Sequence, residues 1–174
     1  MSIISKKICL IGDFGVGKTS LIRCFVDRQF SDQYLSTIGV KISRKIVEVV
    51  QPQNQKLRQV RLLIWDLEGQ TKFRSLNLNY MKGAAGAIIV ADMSRQDTIA
   101  QLEEHINLVS MANPKGVRLI TAFNKSDLLA PETLAAYEGY RNYSQEINTY
   151  ITSAKTGKNV ANIFQKLVCL MLDN

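Results

Sequence analysis

The run Gly12-Asp13-Phe14-Gly15-Val16-Gly17-Lys18-Thr19 fits the pattern G-x-x-x-x-G-K-[ST]. Glycines let a backbone wrap closely around an anion. The N–H groups of Gly15, Val16, Gly17, Lys18, Thr19 and Ser20 can therefore converge on phosphate oxygens at the positive end of a following helix. The Lys18 ammonium supplies a point charge between the outer phosphates, and the Thr19 hydroxyl suits Mg²⁺. The bland alternative is a glycine-rich strand-to-helix turn, which does not account for the lysine beside a threonine. A dinucleotide fingerprint is excluded because Gly-x-Gly-x-x-Gly does not occur in this run.

Such a loop works only where a strand ends and a helix begins. Apolar runs predict strands at Ile3 to Ile11, Val40 to Val50, Val60 to Asp66, Gly86 to Asp92, Val117 to Phe123 and Asn148 to Thr152. Helical patterns fall between them at Gly17 to Asp27, Lys72 to Met81, Ser94 to Ala112, Pro131 to Tyr143 and Asn159 to Leu172. Alternation of this kind predicts an α/β fold with a mainly parallel sheet. Only the polar stretch Gln51 to Gln59 separates the second and third strands, which is too short for a helical crossover. Those two strands should form an antiparallel hairpin, giving a mixed six-stranded sheet with one antiparallel edge strand, flanked by about five helices. In such sheets, ligands bind beyond the carboxyl ends of the strands.

The chain has 174 residues, 46% hydrophobic and 21% charged, which excludes a disordered or fibrous protein and predicts one domain over residues 1–174. No apolar stretch approaches the ~18 residues a membrane span requires. Cys9, Cys24 and Cys169 sit at no metal-ligand spacing and read as buried thiols of a reducing compartment, so a cytoplasmic location is expected. The net charge is +7, and the excess is concentrated between Lys41 and Arg61, where Lys41, Arg44, Lys45, Lys56, Arg58 and Arg61 face only Glu48. No aromatic RNA-binding motif accompanies this run. A solvated face is the simpler reading, and no nucleic-acid partner is expected.

After the fifth strand, Asn124-Lys125-Ser126-Asp127 resembles the N-K-x-D guanine-recognition motif of GTP-binding proteins. The Asp127 carboxylate can accept from the guanine N1–H and 2-amino groups, donors that adenine does not present in that arrangement. A site built on such bonds strongly rejects analogues lacking them. Asn124 can tie this loop to the phosphate loop, and the Lys125 stem can cover one face of the base. After the sixth strand, Ser153-Ala154-Lys155 resembles the S-A-K motif of the same proteins, in which a backbone N–H, here that of Ala154, reads the guanine O6.

With these three motifs in order, nearly the whole chain resembles the Ras superfamily of small GTPases, and is most similar to its Rab-like branch. The resemblance implies a Mg²⁺-dependent switch that binds GTP and GDP and hydrolyses GTP slowly unaided. Tyr34-Leu35-Ser36-Thr37-Ile38-Gly39 is similar to the first switch, in which Thr37 would reach Mg²⁺ through its hydroxyl and the γ-phosphate through its N–H. Trp65-Asp66-Leu67-Glu68-Gly69-Gln70 is similar to the second. There Asp66 would hold Mg²⁺ through water, Gly69 would offer its N–H to the γ-phosphate, and Gln70 would orient the attacking water. Phe30 matches the aromatic that packs on guanine, with a core position at the end of the first helix as the equal alternative.

The catalytic set implied is Gln70, Lys18 and Thr37, and the metal set Thr19, Thr37 and Asp66. Regulators and effectors would meet Tyr34 to Val40, the basic hairpin Lys41 to Arg61, and Asp66 to Met81, on a chain expected to be monomeric.

The sequence also departs from the family. Phe14 stands where Ras proteins have glycine and would hinder an arginine inserted by an activator. Glu68 stands where most members have alanine and is expected to point to solvent. Ile42 replaces a phenylalanine in an aromatic set with Trp65 and Tyr80, and the basic hairpin suggests a partner with an acidic face. His105 is expected to pack away from the strand ends. The C-terminus carries no cysteine motif and Ser2 follows Met1, so no lipid anchor is expected in this chain. The rivals are a catalytically weak G domain that holds nucleotide as an interaction module, an ATP-using phosphotransferase, and a nucleic-acid binder.

Overall fold

The computed structural model describes residues 3–33, 36–51, 55–69, 74–138 and 147–173. Strands β1 (Ile4–Ile11), β2 (Val40–Val50), β3 (Leu57–Leu67), β4 (Gly86–Asp92), β5 (Arg118–Asn124) and β6 (Asn148–Ile151) form one sheet in the order β2-β3-β1-β4-β5-β6. All neighbours are parallel except β2 and β3, which pair antiparallel from Val40 opposite Leu67 to Val50 opposite Leu57. The mixed sheet and its antiparallel edge are thus as the sequence predicts.

Helices are α1 (Lys18–Asp27), α2 (Arg74–Met81), α3 (Gln96–Ala100), α4 (Leu102–Ala112), α5 (Pro131–Glu138) and α6 (Val160–Leu172). The pattern from Ser94 to Ala112 predicts one helix. The structure has two, broken at Gln101, whose ψ of −5° departs from helical geometry while its carbonyl still accepts from His105 N–H at 3.1 Å. Residues 139–143 of the predicted helix Pro131 to Tyr143 lie outside the described residues.

Successive side chains of β1 alternate between two apolar layers, as the period of a strand requires. Ile8 and Leu10 join the layer under α1 and α6, where Phe25 stacks on Phe164 with centroids 3.9 Å apart. Cys9 and Ile11 join the other, with Ala87, Ile89, Met81 and Val109 of α4. Both faces of β4 and of the Ile8–Ile11 half of β1 are therefore buried, which is why these stretches read as continuous apolar runs. Cys9 is fully buried, and burial pushes its thiol up to about 12, so it is inert. Cys24 and Cys169 are only partly buried, contrary to the sequence reading, because they flank the apolar stripes of α1 and α6 rather than occupying them. All three cysteines are free thiols.

Candidate functional site

The segments that follow β1, β3, β5 and β6 at their carboxyl ends line a cleft of about 260 Å³. Its lining includes Gly15, Gly17, Lys18, Thr19, Ser20, Phe30, Thr37, Gly69, Asn124, Lys125, Asp127, Ala154 and Lys155, so most of the sequence-predicted set meets in one place. Val16 and Ser153 are buried and are not part of this lining. Phe30 is exposed and faces the cleft, so the core alternative for it is wrong. Gln70 lies outside the described residues, as do Tyr34 and Leu35.

Lys18 begins α1 and its ammonium folds back onto the phosphate loop, donating to Gly12 O at 2.7 Å and Asp13 O at 2.8 Å. Burial lowers its pKa to about 8, opposed by Asp66 and Asp13 and assisted by Arg95. A phosphate chain beside this ammonium must raise the pKa again, so binding takes up a proton wherever the free site is deprotonated. Affinity for GDP should accordingly be flat below pH 8 and fall roughly tenfold per unit above it. Calorimetry between pH 7 and 8.5, where most guanine N1–H is still protonated, checks this; an unchanged affinity would contradict it.

Thr19, Thr37 and Asp66 come together from α1, the segment before β2, and β3. Thr19 Oγ1 lies 2.7 Å from Thr37 Oγ1 and donates to Asp66 Oδ2 at 2.5 Å, while Thr37 Oγ1 reaches the same oxygen at 3.5 Å. Asp66 is 2% exposed, and its Oδ1 has no hydrogen-bond partner among the described residues. Burial raises the Asp66 pKa, against hydrogen bonds from Thr19 and Thr37 and the charges of Lys18 and Lys41. Two hydroxyls around an orphaned, reluctant carboxylate are a hard-oxygen set that fits Mg²⁺. This ion uses one or two carboxylates and completes its shell with phosphate and water.

Asn124 closes the arrangement. Its amide donates to Val16 O at 3.0 Å, and its Oδ1 accepts from Thr152 Oγ1 and Ala154 N–H, each at 3.2 Å. One buried side chain thereby joins the phosphate loop to both loops after β5 and β6. Gly17 permits the approach, since a Cβ there would stand 2.3 Å from Asn124 Nδ2. The Ala154 N–H is already directed at Asn124, so reading a base carbonyl requires it to be shared. Asp127 Oδ1 accepts from Ser153 Oγ at 2.5 Å, which fixes the carboxylate in the cleft wall.

The structure departs from the sequence reading at Glu68, at His105 and in the basic hairpin. Glu68 does not point to solvent: its Oε2 accepts Gly39 N–H at 2.7 Å, while its own N–H donates to Gly39 O at 2.9 Å. The backbone bond continues the β2–β3 ladder, and that ladder brings the carboxylate within reach of Gly39. His105 is not remote, because its Nε2 lies 2.9 Å from Asp13 Oδ1 in the phosphate loop. The basic hairpin is not wholly solvated: Lys45 donates to Phe25 O at the end of α1, and Arg58 Nε donates to Gln51 Oε1 at 2.9 Å. Phe14 is 43% exposed and lines the cleft beside Gly15.

Sequence reading missed Asp92, which ends β4 and is 1% exposed. Its Oδ2 pairs with Lys125 Nζ at 2.7 Å. Burial pushes the Asp92 pKa up, yet hydrogen bonds from Lys125 and Ser94 hold it below the ordinary carboxylate range. An acid at the carboxyl end of a buried central strand was the available signal.

The Ras family model matches residues 7–173 of the chain. The chain belongs to the Ras family. Among relatives, this Ras-family chain is 33% identical to GTP-binding protein ypt4 of Schizosaccharomyces pombe, over 95% of its own length and 71% of the relative. It is 36% identical to Ras-related protein Rab-4A of Danio rerio, over 91% of its length and 72% of that protein. It is 34% identical to GTP-binding protein YPTM2 of Zea mays, over 96% and 80%. It is a Rab-like small GTPase, a GTP-binding and GTP-hydrolysing switch. The interaction-module alternative is not favoured.

Proposed function

We propose that this GTPase works as one domain whose cleft holds GTP or GDP with Mg²⁺. Asp127 selects guanine, and the amides of Gly15 to Ser20 with Lys18 hold the phosphates. Thr19, Thr37 and Asp66 would hold Mg²⁺, which supplies charge neutralisation at the outer phosphates. Thr37 and Gly69 offer N–H groups to the γ-phosphate, ordering both switch segments, and loss of that group releases them. Gln70 orients the attacking water. Turnover rests on positioning and charge neutralisation, so no side chain needs to act as a strong base.

The observation that carries this reading is that Asp127, braced by Ser153, lines the same cleft as Lys18 and the Thr19–Thr37–Asp66 cluster. Single-turnover hydrolysis of GTP with and without Mg²⁺ tests it. Hydrolysis only with the metal is expected, and metal-independent turnover would contradict it.

Regulators and effectors would engage Tyr34 to Val40, the Lys41–Arg61 hairpin and Asp66 to Met81. Ile42 lies opposite Trp65 in the ladder, and the Trp65 and Tyr80 rings are 6.3 Å apart, with Lys7 Nζ 3.9 Å over the Trp65 ring. Ile42, Ile46, Val50 and Leu57 are exposed along the same ribbon as Arg44 and Arg61, which suits an apolar protein partner with an acidic rim. We assign the chain to the cytoplasm as a monomer with no nucleic-acid partner. No helix among the described residues is long and apolar enough to cross a membrane.

The bond between Glu68 and Gly39 ties the two switch segments independently of the γ-phosphate. Glu68→Ala should therefore speed hydrogen exchange at the Gly39 amide by about fivefold, the worth of a partly exposed charge-assisted bond of roughly 1 kcal/mol. Unchanged exchange at Gly39 would show that the side-chain bond carries nothing.

A further inference from the structure

The turn after β4 is braced by a set of side-chain hydrogen bonds centred on Asp92 and Thr98. Asp92 Oδ1 accepts from Ser94 N–H at 2.9 Å and Ser94 Oγ at 2.6 Å. Thr98 Oγ1 accepts Asp92 N–H and donates to the Arg95 carbonyl, and Arg95 N–H donates to Asp92 O. From this rigid turn the Arg95 side chain crosses to the phosphate loop. Its Nε donates to Asp92 Oδ2 at 3.2 Å, and a terminal nitrogen donates to Phe14 O at 2.7 Å, linking residues 81 apart in sequence.

The carbonyl that Arg95 holds belongs to the peptide between Phe14 and Gly15. In a trans peptide the C=O and the following N–H point in opposite directions. No cis bond occurs among the described residues, so the Gly15 N–H is directed away from Arg95. Gly15 lines the cleft. It has φ of 73°, a left-handed conformation that glycine exchanges readily for the right-handed one, so this peptide is free to flip unless its carbonyl is held. A guanidinium also polarises the peptide it binds, which makes the opposite N–H a stronger donor. Its charge reaches Lys18, whose pKa Arg95 helps to lower, and so bears on the same phosphates.

We propose that Arg95 is a positioning residue for phosphate binding and GTP turnover: braced on Asp92, its guanidinium fixes the Phe14–Gly15 peptide with its N–H toward the phosphates. The same Asp92 oxygen holds Lys125 Nζ of the base-recognition loop, so one buried carboxylate anchors both ends of the nucleotide site. This rests on the reading of the cleft as a guanine-nucleotide site. Absence of GTP binding by the wild-type chain would sink that reading, whereas the variants below test Arg95 alone.

Arg95→Ala in the full chain should weaken GDP affinity and slow single-turnover GTP hydrolysis by about tenfold each. Affinity for guanosine, which has no phosphate to place, should stay unchanged. Added guanidinium ion should restore part of the hydrolysis rate, which a lost packing contact would not permit. Equal losses for GDP and guanosine would assign Arg95 to general support of the cleft and overturn the proposal, as would wild-type GDP affinity and turnover in the variant. Should the alanine chain not fold, Arg95→Lys keeps the charge but loses the planar fork whose Nε and terminal nitrogen reach Asp92 and Phe14 separately. It should show the same selectivity for GDP over guanosine, with a smaller loss.

Discussion

Asp127→Asn should lower GTP affinity by about 10³-fold and turn the cleft toward xanthosine triphosphate. The carboxylate accepts from two guanine donors, and two charge-assisted bonds at ~1.5–3 kcal/mol each set that scale. Ser153 Oγ donates to Asp127 Oδ1 at 2.5 Å, so the variant's carboxamide oxygen should keep that place and its nitrogen should face the base. An N–H there opposes the guanine amino group but pairs with the carbonyl that xanthine carries at the same carbon. A gain for xanthosine triphosphate separates exchanged recognition from simple damage. Retained GTP preference in the variant would remove Asp127 from base selection.

Lys18→Ala should cost two to four orders of magnitude in GTP affinity while leaving the empty chain folded. The ammonium can make charge-assisted bonds to two phosphates, each worth ~1.5–3 kcal/mol. Without nucleotide the balance is different, because burial already lowers the Lys18 pKa to about 8 and the folded chain carries that cost. Truncation relieves it and leaves the Gly12 and Asp13 carbonyls short of a donor, a penalty of similar size. Thermal denaturation of the emptied variant should therefore fall within a few degrees of wild type. A collapse of that midpoint would mean that Lys18 holds the loop rather than the ligand. The variant should also lose the decline in GDP affinity above pH 8.

Much of the scaffold is legible in the sequence because buried parallel strands are uninterrupted apolar runs. Gly86–Asp92 starts and stops where its composition changes. The third strand begins at Leu57 rather than Val60, because cross-strand pairing with Val49 and Val50 continues past the buried segment, where composition no longer shows it. In the site, residues inside local motifs are legible because their spacing is their geometry: Gly15 to Ser20, Asn124 to Asp127, and Ser153 to Lys155. Glu68, His105 and Arg95 are not. Each acts through a partner 29 to 92 residues away, and only the closed sheet brings those pairs together. Glu68 shows the mechanism plainly: its likeness to a solvent-facing carboxylate ends once the β2–β3 ladder delivers the Gly39 N–H to it.

The most direct test of the whole account is calorimetry on emptied, folded protein, with ATP added first and GTP second. GTP should bind tightly whether or not a large excess of ATP is present, since adenine offers Asp127 no matching pair of donors. Equal heats for the two nucleotides, or none for either, would contradict the assignment of the cleft to guanine nucleotides.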